Sequence, residues 1–370
     1  MELIDDHCHP FTLEAEPLDA ARITLDVHEG AASEARRQAS GPLRLSQELL
    51  TVRLAAFFGC PPEELGAARE AAARDWAGYV RRLLDDAQIG ALVWDAGWTP
   101  GAEDAVEAHA AVAGRPLHPL FRIDPLIDRL ITDGAGAQEI VHAVGERLAG
   151  APARGEVGFK TVLAYRTGLA VDPAVTLEMA EQSLRDASLP VRRRGAACRA
   201  LVLRHALAIS AELGLPFQIH TGFGDSDLRL GEANPLLLEP LLRMPEGEAS
   251  RVVLLHGSYP WHEEAAYLAA TRANVWVDFS LVDLFAPATT AERLLRMLDL
   301  APADRLLLGT DAHGLPETYW FAARVLREAW GQVRERLLAL GARAAWIDQV
   351  EQRTFATNAA ELYRLSPSTT

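Results

Sequence analysis

Lys160 is the only lysine in a chain whose every other basic side chain is arginine. Arginine stays charged at any usable pH, whereas a buried lysine can lose its proton and act as a nucleophile or react with carbon dioxide. Retention of one primary amine, in Gly-Phe-Lys-Thr, marks position 160 as a candidate for chemistry. The alternative is one lysine surviving at a strand end. Further residues of metal-binding type are scattered along the chain: His7 and His9 in Asp-His-Cys-His-Pro, His220, His256, and Asp311 in Gly-Thr-Asp-Ala-His. Side chains alternate along a strand, so a His-x-His pair presents both imidazoles to one side and leaves Cys8 on the other, where it packs.

Taken singly, each of these has an ordinary structural explanation. His220 or His256 could be a satisfied core histidine, and Asp311 could cap the following helix. Together they form a set of imidazoles and carboxylate that suits zinc, manganese, nickel or iron, and the lack of thiolate clusters argues against a purely structural zinc site. Such an ion lowers the pKa of bound water towards about 7. Asp311 could then accept a proton as the water attacks. A carboxylated Lys160 would add an anionic bridge between two ions, a role only lysine can fill.

Short apolar, β-branched runs alternate with longer segments of helical period, the pattern of βα units around a parallel sheet. Eight such runs begin the repeats, at 3–6, 90–95, 117–123, 156–163, 216–220, 251–256, 274–279 and 305–309. Helical periodicity fills 197–213, 263–271, 290–298 and 317–340. Eight strands with helical returns predict an α/β fold of the (β/α)8 TIM-barrel type. All six candidate residues then fall at or just after carboxyl ends of strands, the face on which barrel loops converge. The stretch 11–75 is far longer than an ordinary βα loop and reads as a helical insertion after strand one, a lid or a subunit contact. A second helical insertion is expected at 173–194. The expected organisation is one barrel over 1–365 with a short tail at 366–370.

The net charge of −15 excludes the basic patch that nucleic acid or an anionic membrane would require, which leaves a small-molecule substrate as the expected partner, with self-association open. Three scattered cysteines form no disulfide framework and fit a reducing cytoplasm. The first residues lack the pattern of an export signal, and no apolar run reaches membrane-spanning length.

These motifs resemble the amidohydrolase superfamily, in its metal-dependent hydrolase branch. The resemblance is closer to the amidohydrolase domain fused to glutamine synthetase-like domains in nodulin/FluG-type proteins of plants and fungi. It is carried by residues 6–10, by Gly158-Phe159-Lys160-Thr161 with Tyr165-Arg166-Thr167-Gly168-Leu169, and by Gln218-Ile219-His220-Thr221-Gly222-Phe223-Gly224-Asp225. Leu255-His256-Gly257-Ser258-Tyr259-Pro260, Thr310-Asp311-Ala312-His313 and Pro316-Glu317-Thr318-Tyr319-Trp320 complete it. The resemblance implies an ion bound by His7, His9, His220 and Asp311, with His256 as a further ligand or the catalytic histidine, and attack by metal-activated water. The 370 residues are expected to be used up by the barrel and its insertion, without the synthetase-like half.

Other residues near the expected mouth could hold substrate. The planar fork of Arg166 could grip a carboxylate, Asp225 and Asp227 could receive an ammonium, and His313 and Glu317 could form walls. An arginine with an acidic pair suits an amino-acid-like head group, so the expected reaction is hydrolysis of an amide of γ-glutamyl or related type. Two rivals stand beside it: a metal-dependent decarboxylase or other lyase, and a non-catalytic barrel module.

Overall fold

In a computed structural model of the chain, residues 1–16, 35, 39–97 and 105–365 are described. Eight parallel strands run β1 (Leu3–Cys8), β2 (Ile89–Asp95), β3 (Leu117–Arg122), β4 (Gly158–Thr161), β5 (Phe217–Ile219), β6 (Val252–Leu254), β7 (Val275–Phe279) and β8 (Leu306–Leu308). Each pairs with the next in sequence order, giving a nearly closed (β/α)8 barrel. All eight lie where the apolar runs predict them.

The closing seam between β1 and β8 is held at the strand ends. Asp311 N–H donates to the His7 carbonyl (2.8 Å) and His9 N–H to the Ala312 carbonyl (2.9 Å). The buried Asp5 carboxylate accepts from the backbone N–H (2.8 Å) and hydroxyl (2.6 Å) of Thr310. The register of β1 against β2 shifts between Asp5 and Cys8. Such an irregularity breaks strict alternation, and Asp5, Asp6 and His7 are all fully buried.

Parallel strands are covered on both faces, which is why β6 and β8 read as unbroken Val/Leu runs. Inside the barrel, Val93, Leu120, Val253, Leu255 and Leu307 pack together with Leu362 and Tyr363 from the C-terminal helical segment. Outside, helices Ala196–Leu213, His262–Thr271, Thr290–Leu300 and Pro316–Ala339 shield the strands. In Thr290–Leu300 the core-facing stripe is Thr290, Arg293, Leu294 and Met297, at the three- and four-residue spacing of one helix face.

Part of the 11–75 insertion, and the whole 366–370 tail, lie outside the described residues. The described part contains helices Leu45–Phe58 and Leu65–Ala72. It docks on the flank: Phe57 meets Trp320 (centroids 5.5 Å apart), and Arg53 pairs with Glu328 (2.7 Å) on the helix after β8. The 173–194 stretch holds helix Leu177–Leu184 and a short 3-10 turn at Val191–Arg193. Among the described residues, no helix is long and apolar enough to cross a membrane.

Candidate metal centre and substrate cavity

A cavity of about 610 Å³ opens at the carboxyl ends of the strands, and its lining includes His9, Lys160, Arg166, His220, His256 and Asp311. The carboxylate of Asp311 stands among the histidines. Oδ1 is 2.9 Å from His9 Nε2 and 3.2 Å from His7 Nε2, while Oδ2 is 3.7 Å from His256 Nδ1. Lys160 Nζ approaches His7 Nε2 to 2.8 Å and Asp95 Oδ2 to 3.7 Å. His220 reaches the cluster through His256, with its Nδ1 2.9 Å from His256 Nε2. Residues up to 304 positions apart are thus gathered by the ends of β1, β4, β5, β6 and β8.

Backbone strain marks two of these positions. His256 and Asp311 have positive φ, 66° and 51°, a conformation that costs energy for a residue with a β-carbon and that concentrates at functional sites. In His256 the strained turn directs the backbone N–H to Asp278 Oδ2 (3.2 Å).

The hydrogen bonds fix the tautomers. Asp278 accepts from the Ser280 hydroxyl, so the Ser280 oxygen is left to accept from His256 Nδ1–H (2.9 Å). His256 Nε2 then carries a lone pair and accepts from His220 Nδ1–H. His220 Nε2 is consequently unprotonated, and it is buried without a hydrogen-bond partner. Both nitrogens of His256 are committed in this arrangement.

Electrostatics keep the set in ligand form. Burial, then the charge of Lys160, lowers His7 to about 3, and burial holds His9, His220 and His256 below the usual imidazole value, well below for the last two. Burial pushes the Asp311 carboxyl up, but His256, His7 and His9 outweigh it and hold it well below the usual carboxylate range. Lys160 is drawn down to about 8, chiefly by burial, with Asp95 opposing the shift.

These residues fit a divalent transition ion. Neutral imidazoles converge on the ionised Asp311 carboxylate, whose Oδ1 lies 3.2 Å from His7 Nε2 and 2.9 Å from His9 Nε2, and His7, His9 and Asp95 bring ligand atoms within 4.8 Å of one another. The buried His220 Nε2 and Asp311 Oδ1 lack well-formed hydrogen bonds, as expected of atoms whose partner is an ion rather than a donor.

The candidate substrate residues divide. Arg166, Asp225 and His313 line the cavity. Arg166 is buried, pairs through Nε with Asp128 (3.1 Å), and leaves Nη1 without a partner. Asp227 is not among the lining residues and pairs with Arg192 (3.1 Å). Glu317 is fully buried outside the cavity lining, where it accepts from Arg69 Nε (2.9 Å) and the Tyr79 hydroxyl (2.8 Å), tying the insertion to the helix after β8. Cys8 faces away from the site and donates to the Val93 carbonyl (3.5 Å).

Sequence reasoning passed over four residues. Asp95 and Arg122 end β2 and β3 and form a buried ion pair beside Lys160 and His9. The rule that found His220, a polar residue closing an apolar strand, applies to both. Tyr165 lies edge-on to His220 (centroids 4.7 Å apart), and its hydroxyl accepts from Asp225 N–H (2.9 Å). Ser280 has no distinguishing signal in sequence.

Comparison with known proteins adds three findings. A sequence model described as amidohydrolase matches residues 4–365. The chain is 28% identical over 373 residues to the protein FluG of Emericella nidulans, covering 90% of this chain and 42% of that protein, so it spans about two-fifths of the relative's length. A solved structure described as a metal-dependent hydrolase, from Lactobacillus casei ATCC 334, superimposes with a TM-score of 0.86 at 26% identity, covering 98% of this chain and 95% of that one. The uronate isomerase of Bacillus halodurans C-125 shares the fold, with a TM-score of 0.70 at 15% identity and coverage of 98% and 93%.

Proposed function

Since the chain belongs to the amidohydrolase family, we propose that it is a metal-dependent hydrolase of an amide with an amino-acid-like head group, of the γ-glutamyl type. The observation that carries this is the meeting of three neutral imidazoles and the Asp311 carboxylate on a cavity that Arg166, whose buried Nη1 lacks a partner, also lines. His7, His9, His220 and Asp311 would hold the ion, for which zinc suits the donors best and manganese, nickel or iron serve next. When bound, it supplies a Lewis acid that acidifies water and polarises a carbonyl.

The chain's own residues do the remainder. Asp311 turns Oδ1 towards His7 and His9, which leaves Oδ2 to take a proton from the attacking water. His256, with both nitrogens hydrogen-bonded, orients His220 and presents its ring to the reacting centre. Arg166 receives the substrate carboxylate, and Asp225 its ammonium. His313 contributes to the rim. Asp227 and Glu317 act in the scaffold through their ion pairs.

Carboxylation of Lys160 forms part of this reading. As an ammonium, Lys160 donates to the His7 lone pair that an ion would use. The neutral amine adds carbon dioxide, forming a carbamate and releasing one proton, which converts the competing donor into an anionic ligand able to bridge a second ion.

The test is hydrolysis of γ-glutamyl-p-nitroanilide and related γ-glutamyl amides by zinc-loaded protein, followed by chelation. Activity lost to dipicolinate and restored by zinc is the expected outcome. Full activity in rigorously metal-free protein refutes the metal role, and release of carbon dioxide from a carboxylated substrate without amide cleavage assigns the chain to the lyases.

A further inference from the structure

Leu281 occupies a conformation that leucine ordinarily avoids. Its φ of 62° and ψ of −51°, with Val282 N–H donating to the Ser280 carbonyl at 2.6 Å, define a γ-turn of the rare positive-φ kind. A β-carbon in this region is strained, and glycine would relieve the strain. The strained side chain lines the cavity, and the half-buried Phe285 lines it beside Leu281. Behind them, Phe223 packs edge-on against both Phe285 (5.8 Å) and Tyr259 (5.4 Å). An apolar wall therefore follows β7.

The order of strands around the barrel gives this wall a partner. Arg166 follows β4, and three steps round the ring bring the chain to β7. His220 and His256, at the ends of β5 and β6, lie between. A ligand whose carboxylate is pinned by Arg166 and whose middle lies over the two histidines extends its far end towards Leu281 and Phe285.

We propose that the site takes a carboxylate carrying an aryl or branched-alkyl group at its other end, and that Leu281 selects for that group. This rests on the reading above that the cavity holds the substrate and that Arg166 receives its carboxylate. The turn that aims the Ser280 hydroxyl at His256 also commits Leu281 to the cavity, so strain at one residue serves both the histidine and the wall.

The test is calorimetric binding of 4-phenylbutanoate and of butanoate to the purified, zinc-supplemented protein. The wild type is expected to prefer 4-phenylbutanoate by about 10- to 30-fold, the gain from burying one phenyl group against apolar side chains. Leu281→Ala should remove about tenfold of that preference while leaving butanoate within about twofold, and Leu281→Met should retain it. Leu281→Gly should also lose the preference, and its thermal midpoint should fall less than that of Leu281→Ala, because glycine relaxes the turn. Should Leu281→Ala not fold, Phe285→Ala replaces it, with the same selective loss expected. Equal affinity of the wild type for the two acids overturns the proposal, as does an equal loss for both in the variants, which would make the residue merely structural. A phenyl preference without hydrolysis of any γ-glutamyl amide supports this proposal and overturns the reaction instead.

Discussion

Replacing Ser280 by alanine removes a hydroxyl that touches no proposed ligand of the ion, yet it should weaken metal binding. Ser280 joins Asp278 to His256, and its removal leaves His256 Nδ1–H buried without an acceptor. An unsatisfied buried donor costs about 1–3 kcal/mol. The imidazole can escape that cost by shifting its proton to Nε2, which then confronts His220 Nδ1–H across 2.9 Å. His220 must in turn lose the Nδ1 proton and protonate Nε2, the atom proposed to hold the ion. The first course lowers the stability of the fold; the second, which metal binding must reverse, lowers metal affinity, and about 1.4–2.8 kcal/mol corresponds to a 10- to 100-fold weaker dissociation constant. Competition with a chromophoric chelator measures this directly. Ser280→Thr, which keeps the hydroxyl, should recover most of the loss. An affinity in Ser280→Ala within twofold of wild type would refute the tautomer chain.

Other predictions concern charge. Arg166→Ala should raise KM for carboxylated amides by about 10- to 100-fold, as loss of a charge-assisted pair does, and leave amides without the carboxylate unaffected; steady-state kinetics on matched substrates decides. Lys160→Arg should abolish a mass increase of about 44 Da seen after incubation with bicarbonate and zinc, because arginine offers no amine to carbon dioxide. Persistence of that increase in the variant would place the modification elsewhere. Asp283 is fully buried, and its two carboxylate oxygens have no hydrogen-bond partner. Burial pushes it well above the usual carboxylate range, with Asp278 and Asp5 adding to the shift and its own backbone N–H and then Arg293 opposing it. Above the unfolded value the open chain ionises while the folded one keeps its proton, so stability is full at low pH and falls as pH rises towards the folded value. The slope is at most about 1.4 kcal/mol per pH unit. Asp283→Asn should lack this contribution, so its stability relative to wild type should grow between pH 4 and 8; a difference independent of pH in denaturant titrations would show that Asp283 is ionised in the folded state.

The barrel was legible because its strands are buried on both faces and therefore read as apolar runs, and because Leu294 and Met297 keep helical spacing even in a short element. Boundaries drifted where polar residues are buried: β1 continues to Cys8 because Asp5, Asp6 and His7 find internal partners, which hydropathy cannot anticipate. Among site residues, His7, His9, Lys160, His220, His256 and Asp311 stand out by type and position, and the structure brings them together. Glu317 carries the same signal of position but turns to Arg69, an arginine from the insertion that has no visible link to it in sequence. Ser280 escaped for a different reason. Its importance lies in which nitrogen of His256 bears a proton, a property of three-dimensional geometry alone.

The seam between the first and last strands has a temporal consequence. Thr310 and Asp5, 305 positions apart, must meet before His7, His9 and Asp311 can share one centre. A growing polypeptide emerging from the ribosome therefore carries the histidine pair long before it owns the carboxylate that completes the set. Acquisition of the proposed ion should therefore follow barrel closure, and any product cut short before Asp311 would lack the proposed carboxylate ligand however much of the cylinder it had built.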